Sequence, residues 1–263
     1  MSGIEVPGKI SRFVVDQSDW LILLSVLLPP AAMNELGVVA MERTLETPFG
    51  MVGPLALRRV PHGPSVWILP YTGSSTRTDP RATIYAAHML GVRQIVAWDT
   101  VIALNPVLPR GQVAVMADYV DFTRGPGSFD GLPPSLPPNP EAPLHAVCPR
   151  LTGALKRAIP FAVEIVYVGI DGPRRETAAE ARIFRQWGAD VVGQNMIPEA
   201  ALAQEAGICY AGLVTVAELS AERTQMPPRG EVRASLGATL TMLPAMLAIA
   251  SEETCDCLGT VSW

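Results

Sequence analysis

Apolar residues in this chain gather in short unbroken runs punctuated by glycine and proline, and between the runs lie stretches with apolar positions at helical spacing. Runs at 38–41 (VVAM), 65–71 (SVWILPY), 95–98, 112–117, 162–170, 190–192 and 208–216 predict strands, being too short for buried helices and bounded by turn residues. The run at 21–28 (LILLSVLL) fits a buried strand or a short helix ahead of Pro29-Pro30. Helices are predicted over 80–90, 151–158, 176–187, 198–206 and 231–250. The first starts at Pro80 and stops before Gly91, while Gly188 and Gly207 close the third and fourth. Pro244 sits inside the last and is expected to kink it. Strands apolar on both faces, spaced by helices of this size, predict an α/β fold with a mixed, mainly parallel sheet covered on both sides. Without an internal repeat or a second composition, the chain reads as one domain over 1–263, with a C-terminal tail at 251–263. A Pro/Gly-rich segment at 125–143 exceeds the usual loop length of about 12–15 residues, which marks it as a functional or interfacial loop.

Composition supports a folded core: 49% of the 263 residues are hydrophobic and 17% charged. With 20 basic against 25 acidic residues, a formal charge of −5 and no cluster of Lys or Arg, no nucleic-acid partner is expected. The run at 21–28 is far shorter than the roughly twenty residues that cross a bilayer, and no basic segment precedes it as in a leader peptide. A cytoplasmic protein without a membrane partner is therefore expected. Four cysteines are too few for a disulfide framework at this length. Cys148 and Cys209 lie in apolar contexts, only Cys255 and Cys257 are close in sequence, and His62, His88 and His145 show no ligand spacing. Buried thiols and no metal are the expectation.

Ligands of open α/β sheets bind beyond the carboxyl ends of the strands. Polar residues follow apolar runs at four such places: Asp99-Thr100, residues 171–177 (DGPRRET), Gln194-Asn195 after Gly193, and Glu218. In 171–177 a Gly-Pro turn precedes two arginines and a helix start, which can present donors to an anion or a sugar. The same residues also suit an N-capped helix with a solvated arginine pair. Gln194-Asn195 equally fits turn chemistry, and Glu218 a surface carboxylate.

Together these segments carry a resemblance. Residues 188–218 (GADVVGQNMIPEAALAQEAGICYAGLVTVAE), with Pro198-Glu199, Ala206-Gly207 and Cys209-Tyr210 at their spacing, resemble the purine nucleoside phosphorylase family and most closely its methylthioadenosine phosphorylase branch. Residues 46–50 (ETPFG), 80–84 (PRATI) and 171–174 (DGPR), with Glu180 downstream, agree in order and separation. The likeness runs from about Thr47 to Ala250, leaving 1–36 as a divergent N-terminal segment. It implies a single domain with a central mixed sheet and a distorted barrel flanked by helices. It also implies a homotrimer or dimer of trimers, a nucleoside-like substrate and phosphate as co-substrate, with no further cofactor.

The departures from that family fall on the anion site. The glycine-rich phosphate loop is replaced by residues 24–29 (LSVLLP), the Arg-His pair by Tyr71-Thr72, the Thr-Ala pair by Asp99-Thr100, and the Met-Thr pair by Gln194-Asn195. A carboxylate about 4 Å from a phosphate dianion would repel it by a few kcal/mol at an effective dielectric of about 20. On the base side, Glu218 takes the place of an aspartate, Ser220 that of a second acid, and Arg175 that of an aromatic residue. The resemblance thus makes Glu218 and Asp99 the candidate catalytic residues. Tyr71, Thr72, Thr100, Arg175, Gln194, Asn195 and Ser220 become candidates for substrate binding. Three readings follow: a pentosyltransferase of nucleoside phosphorylase type with an altered phosphate site; a hydrolase in which Asp99 activates water; and a binding protein that keeps the scaffold without catalysis.

Overall fold

The computed structural model describes residues 18–70, 79–129, 145–223, 230–253 and 255. Strand β5 (Gln94–Ala103) organises it, pairing with β1 (Trp20–Ser25), β8 (Val191–Gly193) and β9 (Cys209–Leu219). From β5 the sheet continues through β8, β7 (Val163–Ile170) and β6 (Val113–Phe122) to β9, which pairs back onto β5. The five strands thereby close a mixed barrel. Beyond β1 the sheet extends through β4 (Ser65–Pro70) and β3 (Gly50–Arg59) to β2 (Val38–Thr47). This is the mixed α/β architecture expected from the sequence.

Both faces of the central strands are buried, which is why their sequences run unbroken rather than alternating. Leu21 and Leu23 of β1 pack with Ala82, Ile84 and Ala87 of α1 (Pro80–Met89) and Ala200 and Leu202 of α4 (Glu199–Glu205). The intervening Trp20, Ile22 and Leu24 pack on the opposite face with Leu151 and Leu155 of α2 (Pro149–Ala158) and Leu240, Leu243 and Leu247 of α5 (Glu231–Ser251). A smaller cluster seats Ala181 and Phe184 of α3 (Ala178–Gln186) against Val168 and Ile170 of β7. Each fully buried Leu or Ile contributes about 1.5–3 kcal/mol of transfer free energy.

Local chemistry sets the helix ends. Asp79 caps α1, its Oδ1 accepting from the backbone N–H of Arg81 at 3.0 Å, and the Arg81 guanidinium grips the same carboxylate at 2.6 Å. Thr177 caps α3 in a capping box with Glu180, so this helix starts at Ala178 rather than at Glu176 as the apolar spacing suggested. Arg174 holds Glu180 through both oxygens, at 2.7 and 2.8 Å, and with the Thr177 hydrogen bonds this lowers the Glu180 pKa to about 2.

Several expectations are corrected. Strand β3 escapes the sequence pattern because Gly50, Gly53 and Pro54 interrupt its apolar residues. A short 3₁₀ helix at Pro30–Leu36 follows the Pro29-Pro30 pair. Helix α5 is long and apolar enough to cross a membrane by length and composition alone, yet 39% of the relevant window is buried against the protein itself. Asp99-Thr100 is not a loop: β5 carries on through both residues to Ala103, held by pairing with β9 as far as Leu219. The Pro-rich residues 133–143 and the tail beyond 255 lie outside the described residues.

Candidate active site

Strand register brings the candidate segments together. Ser25 of β1 is level with Asp99 of β5, and Leu24 is level with Pro70 at the end of β4. Three strands thus bring residues 25–29, Pro70 and Asp99-Thr100 to one edge. Tyr71 and Thr72 themselves lie outside the described residues. Farther along β5, Ile102 pairs with Val192 of β8 on one edge and with Glu218 of β9 on the other, so the residues after β8 and the end of β9 converge on the same region.

Asp99 faces into the protein and is fully buried. Its Oδ1 accepts from the Asn195 side-chain amide at 2.8 Å and from the Thr100 N–H at 2.8 Å, and its Oδ2 from the Tyr167 hydroxyl at 3.0 Å. The Gln194 backbone N–H donates to the same carboxyl. Burial pushes the Asp99 pKa up to about 6 against the opposing pull of these four donors. Tyr167 is raised well above the ordinary phenol range, first by burial and then by the adjacent Asp99 charge. Its hydroxyl also accepts from the Asn195 N–H at 3.3 Å. The approach requires glycine at 193, because a Cβ there would overlap the Tyr167 hydroxyl.

A second cluster lies along the end of β9. Arg175 donates through Nη1 to Glu218 at 2.9 Å, and through Nη2 to Glu176 at 3.3 Å and to the Leu219 carbonyl at 2.9 Å. The arginine therefore turns onto the strand instead of swinging into solvent. Glu218 remains 54% exposed, whereas the Glu176 side chain is fully enclosed. Glu176 Oε1 also accepts from the Ala221 N–H at 2.8 Å, while its Oε2 has no hydrogen-bond partner among the described residues. Gln194 donates from its side chain to the Arg174 carbonyl at 2.8 Å, against Gly172, where a Cβ would overlap the Gln194 amide. Ser220 is fully buried, its N–H donating to Ala103 at 3.0 Å. A cleft of about 690 Å³ on residues 171–174 is lined also by Phe122, Arg124 and Phe184, but touches none of Asp99, Asn195 or Glu218.

The structure thus joins Asp99 to Asn195, and Arg175 to Glu218, as two neighbouring units. Sequence reasoning missed Tyr167 and Glu176. The signal for Tyr167 was a lone hydroxyl inside the apolar run VEIVYVGI, and for Glu176 a carboxylate within DGPRRET immediately before a helix. It also treated the cysteines as separate. Chain folding instead gathers Cys148, Cys209 and Cys255, because the start of α2, the start of β9 and a position shortly beyond α5 meet at one place.

A sequence profile of the Phosphorylase superfamily matches residues 34–245. The chain belongs to that superfamily. Among relatives of this phosphorylase-superfamily chain, the probable S-methyl-5'-thioinosine phosphorylase of Methanothermobacter thermautotrophicus is 33% identical over 200 residues, covering 72% of this chain and 68% of the relative. The 6-oxopurine nucleoside phosphorylase of Pyrococcus furiosus is 34% identical over 200 residues, covering 68% and 73%. The S-methyl-5'-thioadenosine phosphorylase of Nitrosopumilus maritimus is 28% identical over 236 residues, covering 83% and 88%. In fold, the chain is similar to methylthioadenosine phosphorylase from Schistosoma mansoni in complex with tubercidin, with a TM-score of 0.76 at 24% identity over 89% of this chain and 91% of the other.

Membership, fold and the enclosed Asp99 together do not favour the hydrolase reading. A base for water must reach solvent at the sugar, and this carboxyl is sealed with its oxygens already engaged by four donors.

Proposed function

We infer that the protein is a nucleoside phosphorylase acting on purine nucleosides, with inorganic phosphate as co-substrate and no further cofactor. The observation that carries this reading is the Arg175–Glu176–Glu218 cluster at the end of β9, set beside the Asp99–Asn195 unit in a chain of the Phosphorylase superfamily. The reaction passes the anomeric carbon from base to phosphate through an oxocarbenium-like state, so the leaving base must gain a proton while an oxyanion attacks from the opposite face.

Glu218, exposed and oriented by Arg175, is the group suited to hold that proton at the base. Arg175 offers donors only, which suits an acceptor such as a purine carbonyl. This pairing favours a 6-oxopurine, the base named in the Pyrococcus furiosus relative. Gln194 and Asn195 take the sugar side. Ser25 and Thr100 supply hydroxyls toward phosphate, a role the family resemblance also gives to Tyr71 and Thr72; Ser220 backs the base pocket. Asp99 positions Asn195 rather than touching substrate, which withdraws it from the catalytic residues. The likeness to the purine nucleoside phosphorylase family supports a homotrimer, and the composition supports a cytoplasmic location.

The test is incubation with inosine, adenosine and their 5'-methylthio counterparts, with and without inorganic phosphate. Release of base and sugar 1-phosphate only when phosphate is present, faster for inosine than adenosine, is expected. Phosphate-independent release of free pentose, or no turnover on the whole panel, overturns the proposal; a preference for adenosine overturns the assignment of the base.

A further inference from the structure

Away from the candidate active site, three sulfurs converge. Cys148 occupies the N-cap of α2, Cys209 opens β9 and Cys255 follows the end of α5. Their Sγ atoms all lie within 4.8 Å of one another, with Cys148 to Cys255 at 3.5 Å and Cys209 to Cys255 at 3.3 Å. Cys209 and Glu218 stand at opposite ends of β9, roughly 30 Å apart at the rise of an extended strand, so this cluster is not part of the nucleoside site.

We propose that Cys148, Cys209 and Cys255 form a structural metal site that binds one Zn²⁺ per chain. In a tetrahedral thiolate site, Zn–S bonds of about 2.3 Å place the sulfurs about 3.8 Å apart, close to the spacing found here. A disulfide would draw two sulfurs to about 2.0 Å and leave the third without a role. The donor set is soft and carries no carboxylate, which selects zinc over calcium or magnesium. Cys148 and Cys209 are buried, so the ion would be shielded from water on the core side. Thiolate charge beyond the +2 of the metal is offset from two directions. Arg150, the second residue of α2, carries its positive charge beside the cysteine trio, and Cys148 sits at the positive end of the α2 dipole. The Arg150 guanidinium is itself fixed by the Gln94 side chain and the Ala250 carbonyl. The site ties three segments that are distant in sequence: the C-terminal end of α5 is clamped to the starts of α2 and β9. Its contribution is to stability, since metal that binds only the folded chain adds its binding free energy to folding.

The test uses the full chain purified under a phosphine reductant and supplied with Zn²⁺, with Co²⁺ as the spectroscopic probe. Expected are one zinc per chain by mass-spectrometric metal analysis, thiolate-to-cobalt charge transfer with the intense visible bands of a tetrahedral site, and a melting temperature that rises on Zn²⁺ addition. Cys255→Ser, at the half-buried position, should weaken Zn²⁺ binding by at least about a hundredfold and lose the thermal shift, because one ligand carries a large share of structural-zinc affinity. Should that variant fold poorly, the Co²⁺ spectrum of the unaltered chain still decides. Substoichiometric zinc with no cobalt–thiolate band in the reduced protein overturns the proposal. So does wild-type zinc affinity in Cys255→Ser, or a disulfide within the trio in protein that takes up no metal after reduction.

Discussion

The side-chain amide of Asn195 donates to the fully buried carboxyl of Asp99 across 2.8 Å, and this bond ties the turn after β8 to the middle of β5. Tyr167 completes the unit from β7, so three strands of the barrel are joined by one buried carboxyl.

That carboxyl makes stability depend on pH in a definite direction. Its folded pKa of about 6 lies above the ordinary value of 3.8, so the native state holds a proton that the unfolded chain has released between those limits. Its contribution is fully present below about pH 4 and is lost as pH rises through about 6, by an amount on the order of 2–3 kcal/mol. Asp99→Asn should flatten the melting-temperature profile between those limits; an unchanged slope would show that another group is titrating. Asp99→Ala should cost about 2–4 kcal/mol by chemical denaturation, since it leaves Tyr167, Asn195 and the Thr100 N–H facing a hole.

Around Arg175 the expected effects are on catalysis and on folding. The ion pair with Glu218 is solvent-exposed on both sides and contributes less than about 1 kcal/mol, but Arg175→Ala also strips the enclosed Glu176 of its cation and should destabilise by about 1–3 kcal/mol. Steady-state kinetics on the nucleoside panel should show a raised KM for Arg175→Ala. Glu218→Gln should lower kcat by about 10²–10⁴-fold with little change in KM, as loss of a proton-handling group does. Equal kcat for Glu218→Gln and the native protein would remove Glu218 from the chemistry.

Two glycines should answer oppositely to alanine. At Gly193 the added Cβ would drive into Tyr167, and Gly193→Ala should destabilise by about 1–3 kcal/mol while shifting the denaturation midpoint without changing its slope. At Gly237, inside α5, the same Cβ meets nothing within 4 Å, and Gly237→Ala should stabilise by about 0.5–1 kcal/mol.

The α3 cap is a local test of helix energetics. Thr177→Ala removes the hydroxyl that accepts from the Glu180 N–H at 3.2 Å and should cost about 1 kcal/mol by thermal or urea unfolding. No loss would mean that the Arg174–Glu180 pair alone holds the helix start.

Much of this molecule was legible in the order of its residues. Leu21 to Leu24 alternate between the two cores as an unbroken apolar run must when both faces of a strand are covered. Pro80, Gly91 and Gly188 marked helix ends through backbone chemistry that acts within one turn. The polar residues that follow the apolar runs at Asp99, Gln194 and Glu218 meet at one edge of the sheet. Strand β3 was hidden because its glycines and proline mask the apolar pattern, and the true length of β5 because its polar Asp99 reads as an end when it is a buried interior position.

The sequence by itself determined which faces are apolar, where helices begin and stop, and which chemical groups stand near the strand ends, since all of these depend on spacing along a few residues. Only the tertiary structure decided which groups meet. Asp99 bonds to residues 68 and 96 positions away, Arg175 to one 43 positions away, and three cysteines assemble from separate elements. Those pairings follow from closure of β9 onto β5, which fixes the register between distant strands and the direction in which each side chain points. No local period in the chain encodes that closure.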